Sequence, residues 1–338
     1  MKKRILRAAI IGCGAISKNH TAVLADADYA EIVALCDIDP ARAEVRHELA
    51  PDAAIFTDWR RMLDVAKPEV VHICTPHDLH AEMACECLAR GINVYLEKPI
   101  AISEEELCRI EEAAAKSTAK ITVSFQNRRI VQNRLFVDLI EADGGAKAGR
   151  GMVTWNRDKA YYTADDWHGR LAREGGGLMI NQAIHTLDML VACFPEEVLS
   201  VRGMTALWEN EDFSEVEDNA SFLVNLEGGK RIVFFGTNNY SVDAHIFYEV
   251  LTNNGTRITG MGGHIYRNGV QMDTDEVRQQ FDGKACWGYG HRVCIREFYE
   301  AITEGGEVPV PLESAARTMR ILFALYRSNG KEIPLTDL

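Results

Sequence analysis

The sequence predicts an α/β chain, with an N-terminal Rossmann doubly wound parallel sheet and a C-terminal α+β domain built on a large, mostly antiparallel open sheet. Three observations lead there. Up to about residue 125, short β-branched runs alternate with helical patterns, which is the signature of βαβ units. Beyond that point the pattern changes to longer alternating strands joined by glycine turns. A length of 338 residues also exceeds what one ordinary core serves. The domains are therefore expected at 1–125, binding a dinucleotide, and at 126–338, serving substrate binding and oligomerisation.

The strands of the first domain read in order as "RAAIIG", "EIVALCD", "AAIF", "EVVHICT", "INVYLE" and "KITVSF". Between the fourth and fifth, "HAEMACECLARG" is a crossover helix stopped by Gly91, and "SEEE" at 103–106 is a capping box that opens the next helix. "NRRIVQNRLFVDLIEADGG" reads as a linking helix. The hairpins of the second domain are "SFLVNLEGGKRIVFFG", turning at Gly228 and Gly229, and "FYEVLTNNGTRITG", turning at Asn254 and Gly255. The last helix, about 313–327, is amphipathic and is expected to be able to pack back on the first domain.

Composition narrows the partners. A formal net charge of −13 leaves no electrostatic footprint for a phosphate backbone, so nucleic acid is not expected. No apolar run reaches the roughly 20 residues of a membrane-spanning helix. "MKKRILRAAIIGC" resembles a leader only superficially, because Arg7 interrupts its apolar stretch, and it reads as a first strand. The nine cysteines sit in apolar runs without paired metal spacing, which fits reduced core thiols, a cytoplasmic location and no metal site.

The chemistry starts at "AAIIGCGAISKNH", where Gly12, Gly14 and Ser17 keep the G-x-G-x-x-G spacing between a strand and a helix. A side chain at Gly12 would block the tight turn, and one at Gly14 would hold a pyrophosphate off the N–H groups of the helix start. Asp37 follows at the end of the second strand, placed to accept from a ribose 2′-OH and to repel a 2′-phosphate, so NAD is favoured over NADP. Arg42 lies nearby and reads as a solvated helix residue. Two further strand ends carry polar groups, the Thr75-Pro76 break and Glu97-Lys98-Pro99. Proline fixes the direction of Lys98, whose ammonium could stabilise a substrate oxygen as negative charge develops.

In "EGGGLMINQAIHTLDML", Asn181, His185 and Asp188 form one polar stripe on an otherwise apolar helix, if each residue turns by 100°. A buried polar stripe must be paired or used. Upstream, "TWNRDKAYYTADDWHGRLAREGGG" concentrates Trp155, Arg157, Tyr161, Tyr162, Trp167, His168 and Arg170. Aromatic faces and arginine donors suit a polyhydroxylated ligand, and equally a subunit interface. Gln126 stands at the domain junction.

These motifs, in this order and spacing, resemble the glucose-fructose oxidoreductase/inositol dehydrogenase family, also called Gfo/Idh/MocA, over essentially the full chain. Glu97-Lys98-Pro99 and the glycine-triplet helix are the most specific elements. The resemblance implies that Gly12, Gly14, Ala15, Ile16, Ser17, Asp37, Thr75, Pro76, His80, Glu97 and Lys98 serve the cofactor. It implies that Lys98, Asn181 and His185 are catalytic, with Gln126, Arg157, Tyr162 and Trp167 on the substrate side. Many members carry Asp where this chain has Asn181. An amide takes no proton, so acid/base work falls to His185, with Lys98 as second candidate; Asn181→Asp is the isosteric replacement. The implied activity is NAD-dependent hydride transfer at a hydroxyl-bearing carbon of a sugar, polyol or glycoside, in a homodimer or homotetramer. Two alternatives stand beside it: an NAD-using glycosidase working by transient oxidation, and a catalytically weak sensor of NAD and sugar.

Overall fold

A computed structural model describes residues 4–272 and 289–335. Its contacts divide the chain into two compact units, the first comprising 1–101, 105–126 and 289–313 and the second 102–104, 127–288 and 314–338. The division is thus not the single cut at 125/126 that periodicity suggests. The helix Gly290–Glu304 joins the first unit, whereas the last helix, Leu312–Ser328, lies mostly in the second.

The first unit holds a six-stranded parallel sheet of β1 (Leu6–Ile11), β2 (Ala30–Cys36), β3 (Ala54–Phe56), β4 (Val70–Ile73), β5 (Asn93–Leu96) and β6 (Ile121–Val123). Its order is β3-β2-β1-β4-β5-β6, so the chain reverses direction across the sheet between β1 and β4. Open parallel sheets bind ligands at the carboxyl ends beside such a reversal. The strands are almost continuously apolar because helices cover both faces: Ala8, Ile10, Val70, Val71 and Val94 are fully buried.

The second unit is a nine-stranded sheet formed by β7 (Ala146–Thr154), β8 (Val198–Ala206), β9 (Asn219–Leu226), β10 (Arg231–Thr237), β11 (Phe247–Thr252), β12 (Arg257–Met261), β13 (His264–Arg267), β14 (Val270–Gln271) and β15 (Glu332–Pro334). All its pairings are antiparallel except β7 with β10. Both expected hairpins form, β9 with β10 and β11 with β12. Strand alternation buries Ile232 and Phe234 against the helices and turns Val233 and Phe235 outward. Cross-strand register extends that outward row through Met261, Phe247, Met152, Phe235, Ser221 and Met204. One row of the outer face is therefore largely apolar.

The helix Ile184–Val191 packs on this sheet and is pinned by charge. The Arg128 guanidinium donates to both oxygens of Asp188, at 2.7 and 2.6 Å, and the Thr318 hydroxyl donates to the same carboxylate at 2.9 Å. Asp188 is 1% exposed, so removing it strands a largely buried arginine. Asp188→Ala should cost about 3–5 kcal/mol of stability, the range for breaking a buried pair. Thermal unfolding checks it, and a melting temperature equal to the parent's would show the pair to be dispensable.

Candidate active site

In the first unit the glycine loop follows β1. Gly12 adopts φ +88°, and a Cβ there would lie 2.6 Å from the Cys74 carbonyl, so only glycine lets the loops after β1 and β4 meet. At Gly14 a Cβ would point into open space, the cradle over which a pyrophosphate can approach the start of the helix Ser17–Ala25. Ala15 is exposed and Ile16 half-buried on that loop. Ser17 is buried and its hydroxyl closes the turn by donating to the Gly14 carbonyl at 2.7 Å. This geometry fits a dinucleotide.

Asp37 does more than the spacing suggested. One carboxylate oxygen accepts from the Cys13 N–H at 2.7 Å and the other from the Asp39 N–H at 2.9 Å, which fastens the glycine loop to the end of β2. Each oxygen keeps a further lone pair for a ribose hydroxyl. Arg42 is 58% exposed and weakly paired with Asp39, as expected of a solvated residue. The arginine that reaches the loop is Arg46, which donates to the Ser17 hydroxyl at 2.9 Å and the Gly14 carbonyl at 3.0 Å. Nothing in its local spacing marks it, because it lies a helix away in sequence. Cys13 is inert, its thiol pushed up to about 12 by burial.

Thr75 and Pro76 end β4 half-buried, and Lys98 follows β5 half-buried. His80, expected among the cofactor residues, is fully buried. Its ring nitrogens lie 2.7 Å from the Pro99 carbonyl oxygen and 3.0 Å from that of Thr75, so it ties the two strand ends together. Burial holds its pKa down, against the pull of those carbonyls. Glu97 is also buried, and its hydrogen bonds with His20 and the Lys98 N–H anchor the turn. Burial alone would raise its carboxyl, yet the hydrogen bond to His20 and the nearby His291 ring outweigh that and hold it well below the usual range. Gln126 belongs to this unit too and is buried.

In the second unit the glycine triplet leads into a π-helical stretch, Leu178–Ala183, before α geometry resumes at Ile184. The uniform 100° step therefore fails across the stripe. Asn181 and His185 remain half-buried, while Asp188 is committed to Arg128 and Thr318. The triplet itself is packed shut: a Cβ at Gly176 would sit 2.3 Å from the Tyr326 hydroxyl, and one at Gly177 would sit 2.2 Å from the Glu217 carbonyl. The Glu217 carboxylate accepts from the Gly177 and Met179 N–H groups and from the Tyr326 hydroxyl. Burial raises its pKa even so.

Asn181 is held by neighbours that its own spacing does not reveal. Its amide donates to Glu174 at 2.6 Å and to the Tyr161 hydroxyl at 3.2 Å, and Gln182 donates to the same hydroxyl at 2.7 Å. Tyr161, not Tyr162, is thus the tyrosine beside the stripe. Tyr162 is buried, takes a hydrogen bond from Asn238 at 3.2 Å, and is pushed up to about 12 by burial. Arg157 pairs with Asp243 at 2.9 Å and lies over the Trp155 and Tyr161 rings. Trp167 stacks on His168, their centroids 3.7 Å apart. A pocket of about 490 Å³ opens beside Arg157 among Asn156, Asn210, Asn238, Asn239 and Tyr240.

Residues 6–125 match the family described as "Oxidoreductase family, NAD-binding Rossmann fold", and residues 144–264 match the "GFO/IDH/MocA C-terminal domain". The chain belongs to the Gfo/Idh/MocA family. It is accordingly an NAD-binding oxidoreductase. Among Gfo/Idh/MocA relatives, D-glucoside 3-dehydrogenase of Escherichia coli is 31% identical over 56% of this chain and 55% of that enzyme. Inositol 2-dehydrogenase of Rhizobium meliloti is 27% identical over 68% of this chain and 67% of its own. The WlbA dehydrogenase of Bordetella pertussis, solved with NADH and UDP-GlcNAcA, superposes with a TM-score of 0.86 at 26% identity, covering 99% of both chains.

The Glu174 contact changes what Asn181→Asp would do. Two carboxylates at hydrogen-bond distance in a buried site cannot both ionise, so the folded protein raises the pKa of one above its unfolded value of about 4. The variant's stability deficit should be small at acidic pH and grow as pH rises through the raised value. Melting temperatures of parent and variant at pH 5 and pH 8 test this: the gap should be wider at pH 8, and equal gaps would dissolve the Glu174 pairing.

Proposed function

We propose that the protein is an NAD-dependent dehydrogenase of a hydroxyl group on a sugar, polyol or glycoside. The observation that carries the reading is Lys98, which leaves β5 directly after an anchored carboxylate in a unit whose glycine loop is shaped for a dinucleotide. Relatives named for glucoside and inositol oxidation, and a relative solved with a nucleotide sugar acid, support the substrate class. So does the amide-lined pocket of the second unit, since Asn side chains offer both donor and acceptor to hydroxyls.

Gly12, Gly14, Ser17 and Asp37 would hold NAD, which when bound supplies the hydride acceptor. The Lys98 ammonium donates to the substrate oxygen and stabilises its growing negative charge. His185, when neutral, takes the hydroxyl proton. Asn181 takes no proton; its amide nitrogen is committed to Glu174 and Tyr161, and it orients the substrate hydroxyl. Gln126 and Tyr162, being buried, then serve as packing and not as direct substrate contacts, whereas Arg157, which lines the pocket, and the half-buried Trp167 keep the substrate-side role. Self-association through the apolar outer row of the second sheet belongs to the same reading, because so large an apolar strip favours a second copy. So does a cytoplasmic setting: the described cysteines are free, and no helix among the described residues is long and apolar enough to cross a membrane.

Purified protein with NAD and a panel of sugars, polyols and glycosides, followed for both NADH and product mass, tests the reaction type. Net NADH is expected; glycoside cleavage without it would overturn the assignment. Lys98→Met should lower kcat by about 10²–10³ with NAD affinity little changed, the scale of one transition-state hydrogen bond. His185→Ala should lose about 10²–10⁴ and with it the pH dependence that a neutral base imposes on kcat/KM. Near-parental rates in both would remove these residues from the chemistry.

A further inference from the structure

Behind Lys98 the first unit buries a chain of polar side chains drawn from two helices, one strand and the turn that follows another. His20, from the helix Ser17–Ala25, places Nε2 2.8 Å from Glu97 Oε1 and Nδ1 2.9 Å from His72 Nδ1 on β4. His72 Nε2 lies 3.1 Å from the hydroxyl of Tyr299 on the helix Gly290–Glu304, and His291 of that helix places Nε2 3.4 Å from the same Glu97 oxygen. The other Glu97 oxygen accepts from the Lys98 N–H at 3.3 Å. His20 and His72 are fully buried, and Glu97, His291 and Tyr299 are within 5% of it.

One proton arrangement satisfies every link of this chain. A Glu97 carboxylate, held low by its histidine neighbours, only accepts, so His20 Nε2 donates to it. In that neutral tautomer, which burial favours, His20 Nδ1 is an acceptor, and His72 donates to it from Nδ1. A neutral His72, favoured by burial likewise, then accepts at Nε2 from the Tyr299 hydroxyl. Every link runs in one direction, from Tyr299 through His72 and His20 to Glu97. His20, Glu97 and His291 also have the donor types of a metal site. Yet the 2.8 Å contact is an ordinary hydrogen bond to a carboxylate, and the directed chain uses the His20 nitrogen that a metal would need.

We propose that Tyr299, His72 and His20 are positioning residues for the dehydrogenase reaction, fixing the Glu97 carboxylate so that it sets the backbone from which Lys98 projects. The inference rests on the role given to Lys98 above. A carboxylate locked from behind admits one orientation of its second oxygen, and that oxygen holds the Lys98 N–H. Releasing the chain lets the turn drift, and displacement of a catalytic group by about 1 Å can cost 10²-fold in rate.

The test uses the full-length protein. His20→Leu removes both nitrogens at similar volume, and kcat should fall about 10²-fold while the NAD dissociation constant, measured by fluorescence, stays at the parental value. His20→Gln, whose amide can donate to Glu97 from a similar place, should recover most of the loss. Should His20→Leu not fold, Tyr299→Phe keeps the ring and deletes only the far hydroxyl; kcat should fall and His72 should populate both tautomers. Histidine ¹⁵N spectra of the parent should show His20 as the Nε2–H tautomer and His72 as the Nδ1–H tautomer. Parental kcat in the folded His20 and Tyr299 variants, an imidazolium at His20, or stoichiometric metal in the purified protein would each overturn the proposal. Lys98→Met run alongside separates the two readings: if it is fully active, the function assigned to Lys98 has failed, whereas loss there with a fully active His20→Leu rejects the relay alone.

Discussion

A carboxylate taken out of water costs several kcal/mol unless donors converge on it, and this constraint organises both units. Asp37 collects the N–H groups of Cys13 and Asp39, and Glu97 collects His20 and the Lys98 N–H. Glu174 takes Gly169 N–H and Asn181, Glu217 takes the start of the π-helical stretch, and Asp188 takes Arg128 and Thr318. Asp218 accepts from the N–H groups of Trp208 and Glu209. Each of these buried carboxylates fastens a loop or helix end. The negative groups act as rivets.

The riveted segments are those to which the proposed function gives the chemistry. The glycine loop is tied to β2 through Asp37, the turn bearing Lys98 is tied through Glu97 and His80, and the helix bearing His185 is tied through Asp188 and Glu217. A catalytic group must be held within a fraction of an ångström, and loops rarely achieve that by packing alone. Converging hydrogen bonds supply the missing rigidity, at a stability cost that the apolar cores of the two sheets offset. The glycines complete the arrangement by allowing backbones to meet where a side chain could not fit, at Gly12 against Cys74 and at Gly177 against Glu217.

Much of this was legible in the sequence, because strands, crossover helices and hairpins are set by local periodicity and turn chemistry. The six parallel strands and both hairpins lie where the residue patterns put them, and the glycine loop with Asp37 follows from spacing along one βαβ unit. What periodicity cannot show is convergence between distant segments. His20 meets His72 and Glu97 across 52 and 77 residues, and His72 meets Tyr299 across 227. Histidines on apolar strands look like isolated core residues until the fold joins them. The π-helical stretch was hidden for another reason: a stripe drawn at 100° per residue presumes the α geometry that Leu178–Ala183 abandons. Asn181 therefore meets Tyr161 and Glu174, and Asp188 turns to Arg128.

On the proposed function, a substrate carbon bearing a hydroxyl gives up its hydrogen to the cofactor in an enzyme steadied by these buried carboxylates. That transfer is tested most directly with a reactive sugar or polyol deuterated at the carbinol carbon. The deuterium should appear in the reduced nicotinamide, recovered from the enzyme and weighed by mass spectrometry, with a slower rate of transfer than for the protonated substrate in a single turnover. Deuterium lost to solvent, or retained in the product while the cofactor stays unlabelled, would contradict direct transfer and with it the function assigned here.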